Sequence, residues 1–213
     1  MASGSNNQFC AILDFGSQYS QLIARRVREN RVYCEILPCT TTALQLRDLG
    51  VQGVILSGGP CGVYDDDAPT FDADILKMGV PVLGICYGHQ LIADTMGGRV
   101  EKNPRGREIG TIDVLLRAEA SDDRLFSGLP ANLRVHATHV ESVVELPLGT
   151  RCLGTSDGDP HQVLAFGENV WGTQFHPEFD SEVMKGYVEA RFELITAEGL
   201  DADAMLAKAS DTP

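Results

Sequence analysis

The sequence predicts an α/β protein, an open and mostly parallel sheet flanked by helices, with a β-rich C-terminal half. Three observations predict it. Short apolar runs alternate with helix-spaced apolar patterns through the first hundred residues, and each run ends in a turn-forming cluster. Beyond about residue 109 the helical spacing gives way to closely spaced β-like runs. Strands separated by helices imply right-handed crossovers and parallel pairing.

Residues 9–13 (FCAIL) read as a buried strand ended by Asp14, Gly16 and Ser17. Leu22, Ile23, Ala24 and Val27 then recur at helical spacing within residues 19–29. A second strand at 32–37 is closed by Pro38, and a short helix at 43–49 precedes a third strand at 51–56. Ser57-Gly58-Gly59-Pro60 stops that strand. Residues 71–78 read as helix and 80–85 (VPVLGI) as a fourth strand. A helix at 89–96 ends at Gly97-Gly98, as a C-terminal cap should. Runs at 110–116, 133–135, 142–146, 163–166 and 170–175 form the β-rich half, and 181–197 reads as the closing helix. With no repeat or Gly/Ser linker, residues 9–200 are expected to form one domain, between a flexible stretch at 1–8 and a frayed or disordered tail at 201–213.

The 213 residues carry a net charge of −13, which disfavours contact with phosphate backbones and argues against nucleic-acid binding. No apolar run is long enough to span a membrane. The first eight residues lack the basic and apolar blocks of a signal peptide, so a cytoplasmic location is expected. Six scattered cysteines without a C-x-x-C pair read as reduced thiols, mostly acting as small hydrophobes.

In such sheets ligands bind outside the carboxyl ends of the strands, which selects residues 14–18, 57–60 and 86–90. Gly84-Ile85-Cys86-Tyr87-Gly88 sets a cysteine between an apolar strand and a helix, in the pattern of a strand–turn–helix nucleophile elbow. The flanking glycines allow close packing, and the helix N-terminus directs its dipole at the sulfur, favouring thiolate. A cysteine nucleophile needs a base and a group to orient that base. His176 ends an apolar strand, and Glu178, two residues on, points the same way along an extended chain. Gly58-Gly59 at a strand end, with the Tyr87 N–H, can supply donors to a developing oxyanion.

Four motifs in order, ILDFGSQY at 12–19, LSGGP at 56–60, GICYGHQ at 84–90 and QFHPE at 174–178, resemble the class I (triad) glutamine amidotransferases, most nearly the glutaminase domain of GMP synthetases. The resemblance spans residues 9–194 and implies the flavodoxin-like fold of that family, with L-glutamine as substrate and no cofactor or metal. It implies Cys86, His176 and Glu178 as the catalytic triad and the Gly59 and Tyr87 N–H groups as the oxyanion hole. It further implies Gly58, Gln90, His139, Val140 and Glu141 around the substrate. The last three belong to Thr138-His139-Val140-Glu141, which stands where the family usually has a Ser-His-Gly-Asp type stretch. The sequence contains no Ser-Gly-Gly-x-Asp-Ser pyrophosphate loop, so ammonia is expected to pass to a separate ATP-dependent synthetase subunit. Two other readings are a stand-alone hydrolase of a γ-glutamyl amide and a non-catalytic binding or regulatory module.

Weaker signals are read as structural. His136 and His139 face opposite sides of an extended segment and are not expected to bind metal; His161 is expected at the surface. Asp65-Asp66-Asp67 reads as a solvated cluster, and Arg105-Gly106-Arg107-Glu108 as a solvated loop or a patch facing a partner.

Overall fold

In a computed structural model, residues 9–209 are described. The expected flexible stretch at 1–8 and the last four residues of the tail lie outside them. Strands β1 (Phe9–Asp14), β2 (Tyr33–Pro38), β3 (Gly53–Leu56) and β4 (Val82–Ile85) come from the βα half. The β-rich half adds β5 (Arg99–Lys102), β6 (Glu108–Leu116), β7 (Asn132–His139), β8 (Glu141–Glu145), β9 (Arg151–Thr155), β10 (Val163–Ala165) and β11 (Val170–Thr173). Nine strands form one sheet in the order β2-β1-β3-β4-β11-β10-β9-β6-β7, and β5 pairs with β8 in a second. The stretch from β2 to β11 is parallel and the rest antiparallel, so the predicted mixed α/β architecture is borne out.

Alternation along β1 buries both faces. Ala11 and Leu13 join a core with Leu46 of α2 (Ala43–Asp48) and with Leu91 and Ile92 of α3 (Tyr87–Thr95). Ile12 faces the other way, onto Ile23 and Ala24 of α1 (Ser20–Glu29). A continuous apolar run is what a strand covered on both sides requires.

Several elements differ from the sequence expectation. Residues 71–78 hold only a 3₁₀ turn, Ala73–Lys77, started by the Asp72 side chain accepting from the Asp74 N–H. Strands β5 and β9 have no counterpart among the expected runs: in RVEK only Val100 turns inward, too little for a period to show. The closing helix is two helices, α4 (Ser181–Glu189) and α5 (Phe192–Ala197), parted at Ala190 and Arg191. The tail is ordered over α6 (Ala202–Lys208), capped by Asp201, with Ala202 buried and Met205 laid over Gly110. His161 is half-buried, its Nδ1 2.6 Å from the Val143 carbonyl. The basic patch is tied to the protein itself: Arg105 donates to the Asp157 carbonyl, and Arg107 pairs with Glu198 through two nitrogens.

The junction of β4 and α3 is packed to the backbone. A Cβ on Gly84 would lie 2.6 Å from the Gly88 carbonyl carbon, and one on Gly88 would lie 2.8 Å from the Leu56 Cβ and nearer still to its carbonyl oxygen. Gly88→Ala is therefore expected to lower the unfolding free energy by about 1–3 kcal/mol in denaturant titration. Gly186→Ala, on a helix face with nothing within 4 Å, should leave stability unchanged or slightly raised. Equal effects at the two positions would contradict this packing account.

Candidate active site

Cys86 follows β4 directly and caps α3, with φ 51° and ψ −105°. A non-glycine residue held there costs about 1–3 kcal/mol and persists only where its surroundings enforce it. Here both neighbouring elements enforce it. The Cys86 N–H donates to the Thr173 carbonyl at 2.8 Å, extending the β4–β11 ladder, while its carbonyl accepts from the Gln90 N–H at 3.1 Å in the first helical turn. The side chain is thereby thrown out above the sheet's carboxyl edge.

Three groups surround the sulfur. Gln174 Nε2 lies 3.7 Å away, the Thr138 carbonyl 4.0 Å, and the His176 ring hydrogen-bonds to it. His176 is brought in by an isolated bridge to β7, its N–H donating to the His136 carbonyl at 2.8 Å. Its Nδ1 lies 2.8 Å from Glu178 Oε1, and its ring stacks on Phe179 with centroids 4.4 Å apart. Arg26 steadies the segment, donating to the Glu178 carbonyl and pairing with Asp180 at 2.9 Å. His176 and Glu178 are both buried. Burial alone disfavours the imidazolium, yet the charges of Glu178 and Cys86 and their hydrogen bonds outweigh it, holding His176 well above the ordinary histidine range.

The turn after β3 is fixed on both sides. Ser57 Oγ accepts from the Phe15 N–H at 3.1 Å and donates to the Gly58 carbonyl, while the Ser57 carbonyl accepts from the Gly88 N–H at 3.1 Å. A Cβ on Gly58 would stand 3.3 Å from His176 Cε1; one on Gly59 would stand 2.9 Å from the Phe15 carbonyl oxygen and 3.3 Å from the Tyr87 ring. Among the described residues, neither the Gly59 nor the Tyr87 N–H has an acceptor. Tyr87 itself is anchored through its hydroxyl on the Pro69 carbonyl, and burial pushes that phenol up to about 12.

A cleft opens over Cys86. One part, about 200 Å³, is lined by Gly16, Gln18, Gly59, Cys86, Thr138 and His176. The adjoining part, about 440 Å³, takes in Gln90, Val140 and Glu141, and Arg191 borders both. Gln90 is buried, its Nε2 donating to the Glu141 carbonyl at 2.8 Å and to Gln174 Oε1 at 3.1 Å. His139 turns its ring away: Nδ1 lies 2.9 Å from the Glu141 carbonyl and Nε2 2.9 Å from Glu108, so only its backbone faces the cleft. The Glu141 carboxylate lies over Gly62, and no hydrogen bond or ion pair engages it among the described residues.

Sequence reasoning does not single out Arg191, Tyr187 or Gln174. Arg191 stacks 3.9 Å over the Tyr187 ring and has no acidic partner among the described residues. It reaches the cleft because the helix breaks at that point, a break that no proline or glycine announces.

Replacing Glu178 by Gln removes the charge that opposes burial at His176. In a histidine NMR titration His176 should then lose its proton at a lower pH than in the unaltered protein. An unmoved titration would show that Glu178 does not govern the ring.

Residues 11–194 match the sequence model of the family described as glutamine amidotransferase class-I. A GMP synthase (glutamine-hydrolyzing) of Clostridium kluyveri is 46% identical over 170 residues, covering 79% of this chain and 32% of that protein. The one of Clostridium novyi is 41% identical over 197 residues, covering 92% and 38%. The chain thus spans about a third of the length of these curated relatives. Among solved structures, a glutamine amidotransferase from Thermotoga maritima superposes with a TM-score of 0.73 at 24% identity, covering 96% of this chain and 90% of that one. A glutamine amidotransferase from Methylobacillus flagellatus gives 0.67 at 20% identity, covering 88% and 76%, and both likenesses are of fold. A match over most of the chain, with relatives above 40% identity, makes this protein a member of the class I glutamine amidotransferase family.

Proposed function

We propose that the chain is a glutaminase that hydrolyses the side-chain amide of L-glutamine and hands ammonia to an ATP-dependent synthetase of the GMP synthase kind. The observation that carries this reading is the alignment of Cys86, His176 and Glu178 beside two backbone N–H groups without acceptors. The Cys86 thiolate attacks the amide carbon, and the Gly59 and Tyr87 N–H groups take up the negative charge on its oxygen. The His176 imidazolium, held by Glu178, protonates the departing nitrogen, and ammonia leaves a γ-glutamyl thioester. His176 then takes a proton from water, hydroxide adds to the thioester, and the carbon–sulfur bond breaks to return Cys86 and release glutamate.

The mouth of the cleft suits a free α-amino acid. The unengaged Glu141 carboxylate is matched to the substrate's α-ammonium group and the Arg191 guanidinium to its α-carboxylate. Both charges recognise parts of glutamine that take no part in the bond cleavage, so their contribution falls on binding. The ammonia acceptor is assigned to the synthetase portion of enzymes such as the relatives named above, of which this chain covers about a third. Six free thiols fit a reducing compartment, the cytoplasm.

Cys86→Ala should abolish glutamate release while leaving the far-ultraviolet circular dichroism spectrum unchanged; retained turnover would contradict the mechanism. Arg191→Gln should raise KM for glutamine by about 10-fold or more with kcat nearly unchanged, the loss of one charge-assisted contact. Faster turnover of a γ-glutamyl amide than of glutamine by the unaltered protein would point to a stand-alone hydrolase instead.

A further inference from the structure

Beneath the floor of the cleft lies a buried polar cluster that the chemistry above does not use. Glu108, the first residue of β6, receives Ser156 Oγ on Oε1 at 2.6 Å and both Gln162 Nε2 and His139 Nε2 on Oε2, the latter at 2.9 Å. Ser156 Oγ in turn accepts from the Asp159 N–H and from Gln162, which leaves its own proton for Glu108. Gly158 passes so close to Oε1 that no Cβ would fit there, and Asn103 fixes that backbone by donating to its carbonyl at 2.9 Å.

His139 joins this cluster to the first residue of β8. The Glu141 carbonyl oxygen, 2.9 Å from His139 Nδ1, only accepts, so Nδ1 carries a proton. The other ring nitrogen, Nε2, shares a hydrogen bond with Glu108 Oε2, which also accepts from the Gln162 amide. The side chains are 1% and 9% exposed, so these hydrogen bonds are shielded from water.

The pair connects to the nucleophile. The Glu141 carbonyl takes a second hydrogen bond from Gln90 Nε2, which also donates to Gln174 Oε1, and Gln174 Nε2 lies 3.7 Å from Cys86 Sγ. We propose that Glu108 and His139 are positioning residues, a buried hydrogen-bonded pair that clamps the Glu141 carbonyl and through it holds Gln90 and Gln174 in register with Cys86. Their effect on turnover rests on the glutaminase reading of Cys86, whereas the clamp on the Glu141 carbonyl rests on the geometry alone. Neither side chain reaches the substrate, so the pair acts only by fixing groups that do.

Substitutions at His139 and Glu108 test the clamp. His139→Leu, which deletes both ring hydrogen bonds, should lower kcat for glutamine and the rate at which a glutamine-like chloroketone alkylates Cys86, by up to about 100-fold, as misplaced reacting groups do. Glu108→Gln, which cannot accept all three donors, should lower both in the same way, by up to about 100-fold. Glu108→Asp should recover part of that loss, which general destabilisation would not predict. If Glu108→Gln does not fold, full turnover and alkylation in His139→Leu overturn the proposal. Full turnover and alkylation in a folded Glu108→Gln protein overturn the positioning role. Failure of Cys86→Ala to stop turnover would instead strike the glutaminase reading, while slowed alkylation of Cys86 in Glu108→Gln would still report the clamp.

Discussion

The geometry of the site depends on one local constraint, the positive φ of Cys86 between β4 and α3. The conformation is unfavourable for a side chain and survives because the backbone on either side is already committed. Before it, the β4–β11 ladder fixes the Cys86 N–H; after it, the first turn of α3 fixes its carbonyl. Gly84 and Gly88 let strand, helix and the Leu56 backbone approach to a distance that any other residue would prevent. The same contact brings the Tyr87 N–H to the cleft and, through the Ser57 carbonyl, locks the turn that carries Gly58 and Gly59. One packing solution thus places a sulfur and two candidate oxyanion donors together.

The second constraint is electrostatic. His176 is buried, and burial alone would strip its proton. Glu178 at 2.8 Å and the adjacent Cys86 reverse that preference, while Phe179 and the bridge to His136 fix the ring's plane. His89 shows the opposite outcome within the same protein: fully buried, it has its imidazole driven down to about 4. The two histidines differ in whether a carboxylate hydrogen-bonds directly to the ring.

Much of the parallel half is legible in sequence because strands covered on both faces are continuous apolar runs, stopped by Pro38 or by Ser57-Gly58-Gly59-Pro60. Strands β5 and β9 are not: in β5 only Val100 turns inward, and in β9 only Cys152 and Leu153 are apolar and inward, too few for a period to show. The residues singled out around Cys86 come from motifs in which function and backbone shape share a few adjacent positions. Arg191 and Glu108 have no such local mark: the first depends on a helix break, the second on β6, β7 and the loop before β10 meeting in space. His139 is expected from the motif to contact substrate, yet its ring nitrogens are spent on Glu108 and the Glu141 carbonyl. A motif places a residue near a site without saying which way its side chain turns.

The central claim is that Cys86, alone among six free thiols, forms the covalent bond to substrate. Reacting the protein with a glutamine-mimicking chloroketone and mapping the adduct by peptide mass spectrometry tests it most directly. The account predicts one adduct per chain, on Cys86, suppressed by added glutamine. Labelling that is spread over other cysteines, or that glutamine does not suppress, would contradict it.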